Sequence, residues 1–274
     1  SGAGKVEKPL GPLNRFVRKR AGAAQPATLR DEVRPGALSD EAIQRAERLL
    51  DLAGAREGYA LWYGVDDEPL LAAVLARSEL HVVAVNGDGA KVERLRRSFD
   101  KAGLYGHRVA LHQGDPLGFD APPYLAELIV VGRSMQGELR AGRSLRSIYE
   151  SVRPYGGKLW IPVSRDEAGP LAATLREAGL PKAEVAAVEG GVLVVREGAL
   201  PGAADWTHAY GDAANTVKSD DRRVKLPLGL LWFGGNSNLD VLPRHGHGPS
   251  QQVLGGRLFI QGIDCLSARD VYTG

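Results

Sequence analysis

Tyr59-Ala-Leu-Trp-Tyr63, then Gly64-Val-Asp-Asp-Glu-Pro69, then Leu70-Leu-Ala-Ala-Val-Leu-Ala76 is the stretch on which the fold turns. An apolar run of strand length, a turn opened by glycine and an apolar helical run make one strand-turn-helix unit. The unit repeats. Leu80 to Val85 reads as a second strand and Ala90 to Ala102 as a helix. Val109 to His112 and Leu128 to Val131 read as strands three and four. Leu145 to Val152 is helical, Lys158 to Pro162 is strand five, and Glu167 to Ala178 is helical again. Strands alternating with helices of about ten residues predict a mostly parallel sheet in an α/β fold.

The pattern changes at each end of this block. Upstream, Ser39 offers an N-cap and Gly54 a stop for a helix with Ile43, Ala46, Leu49, Leu50 and Ala53 on one face. Downstream, Glu184 to Glu189 and Val192 to Arg196 are joined by Gly190-Gly191, which predicts a β-hairpin. Residues 1–37 read as a linker rich in Pro, Gly and Ala, with a basic cluster at Arg15, Arg18, Lys19 and Arg20. Residues 38–198 read as the α/β domain. Residues 199–274 open on a Pro/Gly/Ala linker and continue as all-β. Strands are expected there at Leu228 to Phe233, Gln252 to Leu254, Arg257 to Gln261 and Cys265 to Val271.

Bulk properties exclude several classes. The 274 residues carry a net charge of +2, which supplies no whole-chain argument for nucleic acid as a partner. Hydrophobic content of 43% and charged content of 25% fit a globular chain with a sizeable core. No apolar run approaches the roughly 20 residues of a membrane span. Cys265 is the single cysteine, which rules out an internal disulfide and any multi-cysteine zinc site. His208, His245 and His247 lack the spacing and companions of a metal site, so no metal is expected. Both termini read as cut, which predicts a piece of a longer protein.

A Rossmann-like sheet of seven strands closing in a hairpin is the arrangement of class I S-adenosylmethionine methyltransferases. The strings Ala102-Gly-Leu-Tyr-Gly106, His112-Gln-Gly-Asp-Pro116, Pro122 to Val130 and Arg153 to Pro162 closely resemble methyltransferase-like domains embedded in large bacterial β-propeller proteins. The resemblance covers about 140 residues. It implies S-adenosylmethionine as cofactor, methyl transfer to an unknown acceptor, and cofactor contacts at Gly64, Asp66, Asn86, Asp88 and Asp115.

Several of these positions depart from the family pattern. Related domains carry three glycines at the first turn; here only Gly64 remains, with Asp66 and Glu68 in the other two places and Trp62 in place of an acid. Asn86 stands where a carboxylate would hold the ribose hydroxyls, and an amide lacks the charge-assisted acceptance of a carboxylate. Asp88 could substitute by a loop shift, and Asp115 is retained. Two added carboxylates are expected to face the ligand's own carboxylate. Two readings stay open: a cofactor-binding methyltransferase, and a degenerate domain serving as a scaffold or interaction module. No catalytic residue is assigned. Arg133, Ser134 and Glu138 follow strand four on the acceptor side, while Asp120, Pro122 to Tyr124 and His112 read as structural.

Gln252 to Gly262 and Asp264 to Gly274 resemble one blade of quinoprotein-like (PQQ-type) β-propellers, and Trp206 to Thr216 resembles the lead-in to one. A blade stabilises only against neighbours, which implies further blades or other subunits as partners. Quinone binding needs the full ring and is not expected of this segment. Location follows the parent chain: exported or periplasmic if that chain is secreted, cytoplasmic otherwise.

Overall fold

The computed structural model describes residues 38–139, 143–234, 241–242 and 248–274. The described chain divides between Gly198 and Ala199 into two compact units.

The first unit opens with helix α1 (Asp40–Ala53). Ser39 Oγ accepts the N–H of Ala42 at 3.2 Å, and Gly54 closes the helix in the left-handed conformation at φ 61°. Then follow β1 (Glu57–Tyr63), α2 (Glu68–Arg77), β2 (Glu79–Asn86), α3 (Gly89–Lys101), β3 (Val109–Gln113) and β4 (Ala126–Val131). Next come the short α4 (Gln136–Leu139), α5 (Arg143–Glu150), β5 (Gly157–Pro162), α6 (Arg165–Glu177), β6 (Ala183–Val188) and β7 (Gly191–Arg196). Every strand and helix read from the sequence in this unit is present, with ends shifted by one or two residues.

The seven strands lie in the order β3-β2-β1-β4-β5-β7-β6. Strands β1 to β5 are parallel, and β7 runs antiparallel to both β5 and β6. This mixed sheet fits a Rossmann-like methyltransferase fold. Chain order reverses between β1 and β4, so their carboxyl ends border the crevice where such sheets bind ligands.

Ala60, Leu61, Trp62 and Tyr63 are all buried, as are Leu128, Ile129, Val130 and Val131, because helices cover both faces of the sheet. Trp62 and Val130 point to the face packed by α1, α2 and α3. Tyr63, Ile129 and Leu159 point to the opposite face under α5 and α6. Each fully buried Leu or Ile contributes about 1.5–3 kcal/mol, more than a surface ion pair, so these two layers hold the unit together. A buried arginine joins the second layer. Arg196 Nη1 donates to the carbonyls of Tyr149, Glu150 and Val152 at 3.3, 3.2 and 2.9 Å. Its guanidinium lies 4.9 Å from the Tyr149 ring centroid and 5.3 Å from that of Tyr124.

The second unit contains an antiparallel sheet of β8 (Gln252–Leu254), β9 (Arg257–Gly262) and β10 (Cys265–Asp270). Gly255 and Gly256, at φ 59° and 76°, make the first hairpin turn. Trp206 exchanges backbone hydrogen bonds of 2.9 and 2.8 Å with Val253 on the free side of β8. The strand expected at Leu228 to Phe233 is not formed. That stretch is irregular, with Leu228 69%, Leu230 79% and Phe233 87% exposed. Its apolar residues suit a strand, but no described strand pairs with it, and an unpaired strand has nowhere to place its backbone hydrogen bonds. The basic cluster of residues 15–20 and the pair His245 and His247 lie outside the described residues.

Among the described residues no helix is long and apolar enough to cross a membrane. No group of three His, Cys, Asp or Glu is placed to hold a metal ion among them either.

Candidate functional site

At the end of β1 the chain turns through Gly64, whose φ of 76° suits glycine. Its N–H donates to the Val85 carbonyl at 2.9 Å, which ties the turn to the end of β2. The three acids that follow leave in three directions. Asp66 reaches the loop after β4, where its carboxylate accepts the Ser134 N–H at 2.8 Å and the Ser134 hydroxyl at 2.8 Å. Asp67 caps α2 through the Leu70 N–H at 3.0 Å and takes the Arg45 guanidinium of α1 at 2.5 Å. Glu68 pairs with both terminal nitrogens of Arg94 on α3 at 2.7 and 2.6 Å, and these bonds hold its carboxyl below the usual glutamate range.

Asp66 and Glu68, expected to face a ligand's carboxylate, are each engaged by a protein partner. Both turn to protein partners, because an unpaired acid near the crevice would lack compensation that Ser134 and Arg94 supply.

The loops after β1 and β4 also touch through their backbones. Gly132 N–H donates to the Tyr63 carbonyl at 2.6 Å. A Cβ on Gly132 would lie 2.5 Å from the Gly64 carbonyl oxygen and 2.6 Å from Asp66 Oδ2, so only glycine fits. Deeper in this loop, the Gln136 side-chain amide donates to the Pro162 carbonyl at the end of β5.

On the other side of β1, the residues expected to hold the nucleoside serve the backbone. Asn86 is buried, and its Oδ1 accepts the Asp88 N–H at 2.9 Å. Asp88 caps α3 through the Lys91 N–H at 3.0 Å. Asp115 caps the single helical turn Pro116–Gly118 through the Leu117 N–H at 3.0 Å. Lys91 Nζ then crosses from α3 to the Val65 carbonyl in the first turn at 3.0 Å. Gln113 lies over Gly89, where a Cβ would come within 2.5 Å of its Nε2. Gly64, Asn86, Asp88 and Asp115 are thus gathered along the carboxyl ends of β1 to β3, while Asp66 is drawn towards β4. Asn86 Oδ1 spends one of its two lone pairs on the Asp88 N–H, so its amide has one acceptor site and its N–H donors left.

Sequence reasoning missed a sizeable concavity of this unit. A cavity of about 870 Å³ lies between α1 and the carboxyl ends of β1, β4 and β5. Trp62, Val130 and Trp160 form its floor as one cross-strand row, since Trp62 pairs with Val130 and Val130 with Trp160 in the parallel register. Arg45, Arg48 and Arg133 stand around it. The signal available in the sequence was a tryptophan near the end of strand one and another near the end of strand five. Asp66 borders this cavity; Asn86, Asp88 and Asp115 do not. Beneath the sheet on the opposite face, burial pushes the Tyr63 phenol up to about 12, with Asp120 adding to the shift and the Ser151 hydrogen bond opposing it.

The remaining candidates are placed as follows. Arg133 and Ser134 are exposed on the β4 loop, with Ser134 held by Asp66; the side chain of Glu138 lies outside the described residues. His112 is exposed and lies 5.5 Å from the Phe119 ring centroid. His208 Nδ1 is 2.8 Å from the Thr207 hydroxyl.

No family model matches this chain, and no curated protein matches it. Among solved structures, it is similar to a putative S-adenosylmethionine-dependent methyltransferase from Methanococcus maripaludis. The identity is 19% and the TM-score 0.48, over 63% of this chain and 88% of that one. It is also similar to a SAM-dependent methyltransferase from Aquifex aeolicus at 17% identity and TM-score 0.44, over 63% of this chain and 97% of that one. The 4+2 cyclase SpnF is a third similar structure, at 19% identity and TM-score 0.44 over 56% and 62% of the two chains.

Proposed function

We propose that residues 38–198 are a methyltransferase-like module that no longer transfers methyl groups and serves as a scaffold or interaction module in a longer β-propeller protein. The observation that carries this reading is the Asp66 carboxylate on the Ser134 N–H and hydroxyl, which fastens the first turn to the β4 loop where the methionine part of the cofactor would lie. The Lys91 to Val65 bond and the engaged Oδ1 of Asn86 add to it. Adenosine hydroxyls entering here would meet acceptors that already serve the backbone, each with part of its capacity spent. On this reading the first turn, fastened by Asp66 and short of two glycines, is a poor seat for S-adenosylmethionine. The propeller part of the reading rests on the resemblance of residues 206–216 and 252–274 to propeller segments. An exported parent would place the module where no S-adenosylmethionine is supplied, which agrees with a crevice free to drift.

Calorimetry of the whole chain with S-adenosylmethionine and S-adenosylhomocysteine tests this. The expected result is no binding tighter than roughly millimolar. Micromolar binding that Asp115→Ala weakens would restore the second reading, a methyltransferase acting on an unknown acceptor. That reading is favoured by one observation: Gly64 and Asp115 still stand at the ends of β1 and β3.

A further inference from the structure

We propose that the cavity between α1 and the ends of β1, β4 and β5 binds an uncharged, largely apolar molecule with one hydrogen-bond acceptor, such as a ketone or an ester. The claim goes beyond the reading of the crevice, because Asn86, Asp88 and Asp115 do not border this cavity. Its volume of about 870 Å³ suits a small organic molecule. Leu52 of α1, Pro69 in the first turn of α2, and Trp160 and Pro162 of β5 line it and keep exposed surface. Leu49, Leu70 and Val130 also line it but are buried, so apolar contact falls mainly to the first four. A ligand that covers them removes apolar surface from water, at about 25 cal/mol per Å².

The charges around the cavity cancel. Arg45 is paired with Asp67 at 2.5 Å, and Asp51 with Arg56 at 2.7 Å. Arg48 and Arg133 are then matched in number by Asp66 and Glu189. Asp66 counts in full, since Ser134 gives it hydrogen bonds and no charge. An ionised ligand would lose its hydration in a site with no net opposite charge to offset the loss. An uncharged ligand escapes that cost, so the wall disfavours anions and cations alike.

The wall also contains a donor in need of an acceptor. Trp160 Nε1 is buried and makes no hydrogen bond with a described residue. Arg45 Nε is likewise unbonded, but Glu41 stands 4.0 Å from it. An indole N–H can only donate, so what Trp160 lacks is an acceptor. A carbonyl oxygen supplies one without upsetting the charge balance. Trp160 is partly exposed, and a small rotation of its indole would turn the N–H to a ligand in the cavity.

The test is titration of the whole chain with 2-acetonaphthone, 2-ethylnaphthalene, 2-naphthoate and 2-naphthylmethylamine, the last a cation at neutral pH. The ketone is expected to bind in the micromolar range, the hydrocarbon about fivefold more weakly, and both ions about tenfold more weakly. Trp160→Phe keeps a ring and removes the N–H, so it should abolish the ketone's advantage over the hydrocarbon. Arg48→Gln with Arg133→Gln, at two exposed positions, should leave the ketone unchanged and strengthen the cation about fivefold. No binding at roughly millimolar 2-acetonaphthone, an ion held as tightly as the ketone, a ketone preference that survives Trp160→Phe, or an unaltered cation affinity in the double arginine variant would overturn the proposal. The outcome is separable from the S-adenosylmethionine calorimetry, because either ligand can bind or fail by itself.

Discussion

The carboxylate of Asp66 accepts two hydrogen bonds from one residue, Ser134, whose N–H and hydroxyl lie at 2.8 Å each across a separation of 68 positions. One acid in the first turn thereby fixes the loop that follows the fourth strand. Asp66→Ala should lower stability to urea by about 1 kcal/mol, the usual size for hydrogen bonds to a charged acceptor at an exposed site. Amide exchange at Ser134 should quicken in the same variant, and unchanged exchange there would mean the tether contributes nothing.

Gly132 permits this closeness. Gly132→Ala places a methyl 2.5 Å from the Gly64 carbonyl oxygen, a contact backbone cannot easily relieve. The expected cost is about 1–3 kcal/mol, read as a drop in the urea midpoint at constant slope. Gly137→Ala, where no atom lies within 4 Å, is the matched control and should be tolerated.

Arg196 is 4% exposed and serves three carbonyls with one nitrogen. Arg196→Met strands those carbonyls at the end of α5 and should cost about 3 kcal/mol. Arg196→Lys should rescue little, since an ammonium cannot lie flat between the rings of Tyr124 and Tyr149. Thermal unfolding of the two variants checks both statements.

Burial raises Tyr63 and Tyr149 to about 12, from an ordinary value near 10. For each, the neutral form is favoured in the folded state. The stabilisation is complete below the unfolded value and is lost as pH rises through the folded one, between about 10 and 12. In an alkaline titration followed by tyrosinate absorbance, two of the eight tyrosines should ionise only as the protein unfolds. Tyr63→Phe and Tyr149→Phe should each move the alkaline midpoint upward; Tyr149→Phe gives up the 2.9 Å bond to the Pro181 carbonyl at neutral pH.

Glu68 shifts the opposite way. Its carboxyl is held low by Arg94, so its contribution is present above the ordinary glutamate range and fades as pH falls through the lowered folded value. The stability gap between wild type and Glu68→Gln should therefore close as the pH drops below about 4. A gap equal at pH 7 and in acid would rule out the ion pair as its source.

Local signals carried most of the α/β unit. Ser39 and Gly54 bound α1, alternating strands and helices gave the sheet, and Gly190-Gly191 gave the hairpin, because capping, periodicity and turn chemistry act over a few residues. The pairings that shape the site act over long separations. Asp66 with Ser134, Lys91 with Val65, and Trp62 with Val130 depend on which segments the topology brings together, and no spacing rule announces them. The strand expected at Leu228 to Phe233 failed for the same reason: composition describes a suitable strand, but pairing requires a neighbour. Asp88 and Asp115 were legible as acids at strand ends; that each also caps a helical turn depends on the backbone N–H groups it faces.

The antiparallel return of β7 has a consequence for how the chain is made. Strand β5 has β4 on one side, and its other edge is covered only when residues 191–196 have been synthesised. Without β7 the backbone N–H and C=O groups of residues 157–162 on that edge have no strand partner. A chain stopped after α6 would keep that edge open and tend to join its neighbours edge to edge. The hairpin is thus a late seal, and its appearance marks the moment at which the emerging domain becomes safe to leave unattended.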